Sequence, residues 1–251
     1  MIEEANTSAV DTASGAAAPG ERPRSSTLGT VWDWTRSVGL ALVLFLAIRA
    51  FGVEAFKIPT SSMENTLLVG DFLLVNKAVY GSEIPGTGLH FPALREPRRG
   101  DVIVFNPPHE PEKNYVKRLV GVPGDTLEIR DKMLRLNGLA IEEPYARYVD
   151  RSGDAVHPGM GWQSYHLIAS TRRVYHPSRD NWGPLVVPDR EYFVLGDNRD
   201  NSEDSRYWGF VDRGAITGRP WFVYYSFDAG SPVEAPWARA VRWTRIGHPI
   251  Q

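Results

Sequence analysis

The sequence predicts a mainly β protein, an antiparallel coiled-sheet domain preceded by one N-terminal transmembrane helix. Three observations carry this expectation. Short runs rich in branched and aromatic residues recur after residue 70, with turn residues between them. No long amphipathic helix interrupts them, which argues against a parallel α/β sheet. One unbroken apolar run, residues 38–48, lies ahead of them all.

Residues 1–30 are rich in Ala, Ser, Thr, Gly and Pro. They bury too little apolar surface to offset ordering entropy, so they are expected to form a disordered tail. No apolar segment lies near Met1, so an ordinary cleavable signal sequence is not expected. Residues 31–54 are expected to be the transmembrane anchor. The run 38–48 alone is too short, because a span needs about 20 residues. Extension from Trp32 to Val53 gives about 33 Å of helix. That extension takes in Asp33, Arg36 and Arg49. Trp32 and Trp34 suit a membrane interface, and long Arg side chains near the ends can snorkel. Arg22, Arg24 and Arg36 precede the run while Arg49 and Lys57 follow it, so the charge bias that sets orientation is slight.

Residues 55–251 are expected to form the β domain. Strands are predicted at 72–75, 101–105, 115–122, 192–195 and 216–227. Residues 126–130 and 133–136 alternate and are separated by two residues, so they read as a hairpin. Asn137-Gly138 is a strong turn signal. Residues 146–181 lack sustained periodicity and read as an insertion with a hairpin of its own.

The formal net charge of −2 argues against a nucleic-acid-binding surface. The absence of cysteine excludes disulfides and thiolate metal sites. No His-x-x-x-His spacing occurs, so no metal is expected.

Three segments carry the chemistry. Residues 58–71 read Ile-Pro-Thr-Ser-Ser-Met-Glu-Asn-Thr-Leu-Leu-Val-Gly-Asp, and residues 115–125 read Tyr-Val-Lys-Arg-Leu-Val-Gly-Val-Pro-Gly-Asp. Residues 196–210 read Gly-Asp-Asn-Arg-Asp-Asn-Ser-Glu-Asp-Ser-Arg-Tyr-Trp-Gly-Phe. A serine beside a proline is ordinarily a turn residue, and a lysine on a strand is ordinarily solvent-exposed. A serine hydroxyl becomes a nucleophile only when a base takes its proton. A lysine serves as that base only if its ordinary value near 10.4 is lowered by about 3 units, as burial in an apolar site can do.

Together these segments resemble the bacterial type I signal peptidases, membrane-bound serine proteases with a Ser/Lys dyad. The resemblance runs from about Arg49 to Phe227, and the third segment is its most specific part. It implies Ser62 as nucleophile and Lys117 as base. It places Thr60 as a hydroxyl donor to the oxyanion, with the Ser62 N–H, and Ser202 as the residue that orients Lys117. Asp204 and Arg206 correspond to a structural ion pair beside the site. Arg118 is permanently charged and is expected to be a structural cation. Asp197, Asn198 and Arg199 are expected to satisfy one another and the backbone. One departure is Asn65, where the family commonly has proline.

The resemblance further implies removal of N-terminal signal peptides from translocated preproteins, with small residues at the first and third positions before the cut and with no cofactor. The implied partners are preprotein signal peptides and membrane lipid. The implied location is the inner membrane, single-pass, with a monomer near the translocation machinery and its catalytic domain on the extracytoplasmic side. A self-cleaving Ser/Lys regulator would need a DNA-binding helical domain in place of the tail and apolar run. A tethered β domain that has lost activity is disfavoured by the intact Ser62, Lys117 and Ser202.

Overall fold

The computed structural model describes residues 27–81, 92–150, 154–168, 175–230 and 240–251. Side chains are described for 31–45 and for residues from Gly52 onward within those segments. Most of the tail, residues 1–26, lies outside the described residues, as does His90. Two units, 1–44 and 45–251, are taken separately.

The first helix, α1 (Thr27–Phe51), begins inside the segment expected to be a tail. Every described side chain from Val31 to Phe45 is exposed, including Trp32, Trp34, Leu40, Leu42, Leu44 and Phe45. A transmembrane helix is not shown: among the described residues, no helix is long and apolar enough to cross a membrane. The helix also stops before Val53, because the chain turns at Gly52 and the next residues join a sheet.

The second unit is mainly β, as expected. Its strands in chain order are β1 (Val53–Lys57), β2 (Asp71–Asn76), β3 (Val102–Phe105), β4 (Tyr115–Gly121), β5 (Thr126–Arg130), β6 (Met133–Leu136), β7 (Leu139–Ala140), β8 (Trp182–Val186) and β9 (Glu191–Leu195). A one-turn helix α2 (Ser205–Trp208) precedes β10 (Val211–Asp212) and β11 (Ile216–Ser226). Seven strands form one sheet in the order β1-β2-β11-β3-β4-β9-β10, and four form another in the order β7-β6-β5-β8. Every strand pairing is antiparallel.

β11 is the long strand of the larger sheet. Its first residues pair with β3 and the rest with β2, with register shifts after Ile216, Pro220 and Val223. Such bulges add local twist, and one of them accommodates Pro220, which has no N–H to give the ladder. The hairpin β5–β6 turns through Asp131 and Lys132, both in the left-handed region at φ 49° and 68°. Asn137 and Gly138 make the next tight turn, at φ 51° and 83°, into β7. Both turns have the backbone twist that two-residue hairpins favour.

Part of the expected insertion, residues 151–153 and 169–174, lies outside the described residues. Its described residues make a 3₁₀ segment, Pro158–Tyr165, and isolated bridges from Val156 to Ser178 and from Leu167 to Leu185. Met160 and Leu167 enter the core beneath β5 and β8, with Trp182, Leu185 and Phe193. A second apolar cluster joins Ile58, Met63 and Leu67 to Leu73, Val75, Val104 and Val223. That cluster fixes the loop between β1 and β2.

Phe193 is fully buried, with ring centroids 5.1 Å from Trp182 and 5.8 Å from Phe210. Phe193→Ala is expected to lower unfolding free energy by about 3–5 kcal/mol, since a cavity is left along with the lost transfer energy. Denaturant titration measures it, and a loss under about 1 kcal/mol would mean that the site collapses to fill the gap.

Candidate active site

The loop after β1 is built to present one hydroxyl. Ile58 is tied by its N–H to the Asp71 carbonyl at 2.8 Å, and Gly70 returns a bond to the Ile58 carbonyl at 3.0 Å. Inside that closed loop, Glu64 N–H bonds the Ser61 carbonyl, while Thr66 and Leu67 N–H both bond the Met63 carbonyl. Met63 and Leu67 are pulled into the core. Ser62, between the solvent side and this core, is 9% exposed.

Lys117 sits mid-strand in β4, paired with Ile103 of β3. It is 4% exposed, and its Nζ donates to Ser62 Oγ at 2.7 Å. No ion pair engages Lys117 among the described residues. Burial pushes its ammonium down to about 8; Arg206 adds to the lowering, while Asp204, Glu203 and Asp197 oppose it. Desolvation disfavours the charged form, so this amine is far easier to deprotonate than an exposed lysine.

Ser62 and Lys117 open onto a cleft of about 570 Å³ lined also by Phe56, Ile58, Thr60, Tyr115 and Val116. Among the described residues no histidine lines it. Thr60 Oγ1 lies 3.5 Å from Ser62 Oγ. The Ser62 N–H has no partner among the described residues. The site therefore brings together the Ser62 hydroxyl, an amine of lowered basicity, the Thr60 hydroxyl and the Ser62 N–H. A separate hollow of about 430 Å³, bordered by Lys132, Met133 and Tyr148, contains none of these groups.

Residues 196–206 lock the loop against β4. Asn198 N–H donates to the Ser62 carbonyl at 3.0 Å, and Asn198 Nδ2 donates to the Ser61 carbonyl at 3.2 Å. Asn201 Nδ2 donates to Ser61 Oγ at 2.8 Å. Gly196 is where the two segments touch. A Cβ there would stand 2.2 Å from Ser202 Oγ and 2.5 Å from the Ser62 carbonyl oxygen.

Ser202 departs from the expected role. Its buried Oγ makes no hydrogen bond, so the expected bond to Lys117 is absent. It lies against Gly196 and helps hold Asp204 charged without reaching bonding geometry. Asp204 and Arg206 do form a buried pair, at 2.8 and 2.9 Å. Burial pushes the Asp204 carboxyl up, but the Arg206 guanidinium and the Gly196 N–H outweigh it and hold the group below its ordinary value.

Asp197, Asn198 and Arg199 do not satisfy one another. Asp197 takes two bonds from Arg118, both 2.8 Å, and one of 2.5 Å from Thr66 Oγ1. Arg199 makes a bidentate pair with Glu143 at 2.6 and 2.7 Å. Tyr145 lies on the Arg118 guanidinium at 3.8 Å. Sequence reasoning missed Glu143, Tyr145 and Thr66 as supports, since nothing in their spacing marks them.

A family profile described as "Signal peptidase, peptidase S26" matches residues 31–225. The chain belongs to that family. It is a serine peptidase, and so a hydrolase. A signal peptidase I from Pseudomonas aeruginosa is 38% identical over 218 residues, covering 78% of this chain and 72% of that protein. Another, from Aquifex aeolicus, is 35% identical over 259 residues, covering 84% of this chain and 95% of that protein. A solved signal peptidase I from Enterococcus faecalis is 32% identical, covering 51% of this chain and 98% of that one, with a TM-score of 0.35. At that score the fold described above rests on this chain's own pairings.

The lowered basicity of Lys117 has a consequence for stability. The unfolded chain binds a proton at Lys117 up to about 10.5, the folded one only up to about 8. Between those values the unfolded state holds more protons, so stability rises with pH, and below about 8 the full penalty stands. Lys117→Met is therefore expected to stabilise the fold at pH 7 by roughly 3 kcal/mol, with the gain shrinking toward pH 10. Denaturant titrations of both forms across that range test it. A pH-independent difference would mean that Lys117 is not held below its ordinary value.

Proposed function

We propose that this peptidase is a membrane-anchored serine endopeptidase that removes N-terminal signal peptides from translocated preproteins, cutting after small residues of the Ala-x-Ala type. The contact between Lys117 Nζ and Ser62 Oγ, at 2.7 Å in an open cleft, carries the reading. In its neutral form Lys117 accepts the Ser62 proton as Oγ attacks the scissile carbonyl. The proton passes to the leaving amine, which departs as the N-terminus of the mature protein. The signal peptide remains as an ester on Ser62. A water, deprotonated by Lys117, then releases it. The Thr60 hydroxyl and the Ser62 N–H are the donors for the tetrahedral oxyanion. Ser202 fills the space beside Gly196, where the Ser62 carbonyl also approaches.

The anchor in this reading is α1. Its apolar side chains between Val31 and Phe45 are exposed rather than buried along one stripe, which supports that reading. The domain after it works as a monomer on the extracytoplasmic side of the inner membrane, with the tail inside. Its partners are the preprotein and lipid.

The full chain in detergent, incubated with a preprotein bearing an Ala-x-Ala junction, tests the chemistry. Ser62→Ala and Lys117→Arg are expected to be inactive, the latter because guanidinium keeps its proton at any usable pH. Thr60→Val is expected to lower kcat by roughly 10²–10³ with little change in KM. Wild-type kcat/KM should rise with pH through about 8 as Lys117 loses its proton, then level off. Turnover by Ser62→Ala, or substantial activity in Lys117→Arg, would remove the dyad from the mechanism.

The anchor has its own test. Deletion of 1–51 spares β1, which pairs with β2 from Val53 onward, so a folded and slowly active domain is expected in the soluble fraction. The full chain should resist alkaline extraction from membranes. Release of the full chain by that treatment would defeat anchoring by α1 and leave the peptidase intact.

A further inference from the structure

One acidic side chain borders the cleft without a task in this chemistry. Glu203 lines it together with Ser62, Lys117, Lys113, Asn114 and Tyr115. The backbone is extended at Ser202 and Asp204, so alternate side chains face opposite ways. Ser202 and Asp204 are buried and Glu203 is exposed. Among the described residues, no hydrogen bond or ion pair engages its carboxylate. The other lysines that line the cleft have contacts elsewhere. Lys113 pairs with Glu110 at 2.7 Å, and Tyr115 Oη donates to the same carboxylate at 2.7 Å. Lys57, which also lines the cleft, lies over the Phe227 ring at 5.6 Å. With Lys117 neutral in its working form, Glu203 carries the one negative charge among the described residues that line the cleft. That charge is felt at both Tyr115 and Lys117.

We propose that Glu203 is a specificity-determining residue, favouring a basic substrate side chain and disfavouring an acidic one at the subsite it forms with Lys113, Asn114 and Tyr115. The proposal rests on the reading of this cleft as the place where the peptide is cut. An exposed charge pair has a modest effect, so Lys over Glu at one substrate position is expected to give roughly a three- to tenfold preference.

The experiment uses the full chain in detergent carrying Ser62→Ala, so that peptides bind without turnover, at a pH above the value of about 8 at which Lys117 gives up its proton. Labelled peptides spanning an Ala-x-Ala junction carry Lys or Glu singly at each of the three positions on either side. Anisotropy titrations give the Kd ratio at each position. One position should show the preference, Glu203→Gln added to Ser62→Ala should bring it near parity, and Glu203→Lys should reverse it. In about 1 M salt, where the Debye length is about 3 Å, the preference should shrink. No charge preference at any position overturns the proposal, and so does a preference that Glu203→Gln leaves in place. Cleavage by the Ser62→Ala protein would defeat the dyad reading instead, while the binding ratios still decide Glu203.

Discussion

An amine buried in β4 without a carboxylate partner is the constraint on which the site depends. Four cationic side chains lie buried around Ser62, and three of them have acids of their own. Arg118 holds Asp197, Arg206 holds Asp204 and Arg199 holds Glu143, each at 2.6–2.8 Å. Lys117 alone faces a hydroxyl. A guanidinium cannot give up its proton, so its burial must be answered by an anion. A lysine can answer burial by losing the proton. Pairing each arginine locally leaves desolvation to act on the lysine.

That arrangement is useful only if the hydroxyl is held equally well. Ser62 is fixed from below by Met63 and Leu67 in the core, and from the side by Asn198 and Asn201. The same segment carries Asp197, whose carboxylate gathers both Arg118 of β4 and Thr66 of the serine loop. One short strap therefore positions both the Ser62 loop and β4 with Lys117, and Gly196 allows its close approach. Buried networks of this kind are costly if any member is lost, which favours a single geometry over several.

The strands were legible where apolar side chains alternate. β5 and β6 alternate and are joined by two residues, which defines both strands and their register. β1 was hidden because Val53 follows an apolar helix with only Gly52 as punctuation. β8 carries Gly183 and Pro184, which local rules assign to loops, yet it closes the smaller sheet through contacts with β5. At the site, Ser62 and Lys117 were legible only because whole motifs surround them; their 2.7 Å contact joins residues 55 apart in sequence. Which acid each arginine would choose was not legible. Arg199 and Asp197 are near neighbours in sequence, but their partners come from Glu143 and from β4, a choice made by tertiary packing. Ser202 shows the same limit: a bond from its hydroxyl to Lys117 was expected, and that buried hydroxyl makes no hydrogen bond.

Asn65 shows how this chain absorbs a departure from its family. Its φ is 103°, in the left-handed half of conformational space, whereas a proline ring holds φ near −65°. Proline could not replace Asn65 without moving the loop that carries Ser62. Asparagine tolerates positive φ better than most residues. Its Nδ2 also donates to the Tyr145 carbonyl at 3.0 Å, and the Tyr145 ring covers Arg118. The loop is thus tied to the same guanidinium by two routes, one through Thr66 and Asp197 and one through Asn65 and Tyr145. Where a proline ring would stiffen the loop, Asn65 holds it by a contact to the segment that follows β7. The conformation of the serine loop is in this way set by its neighbours as much as by its own sequence.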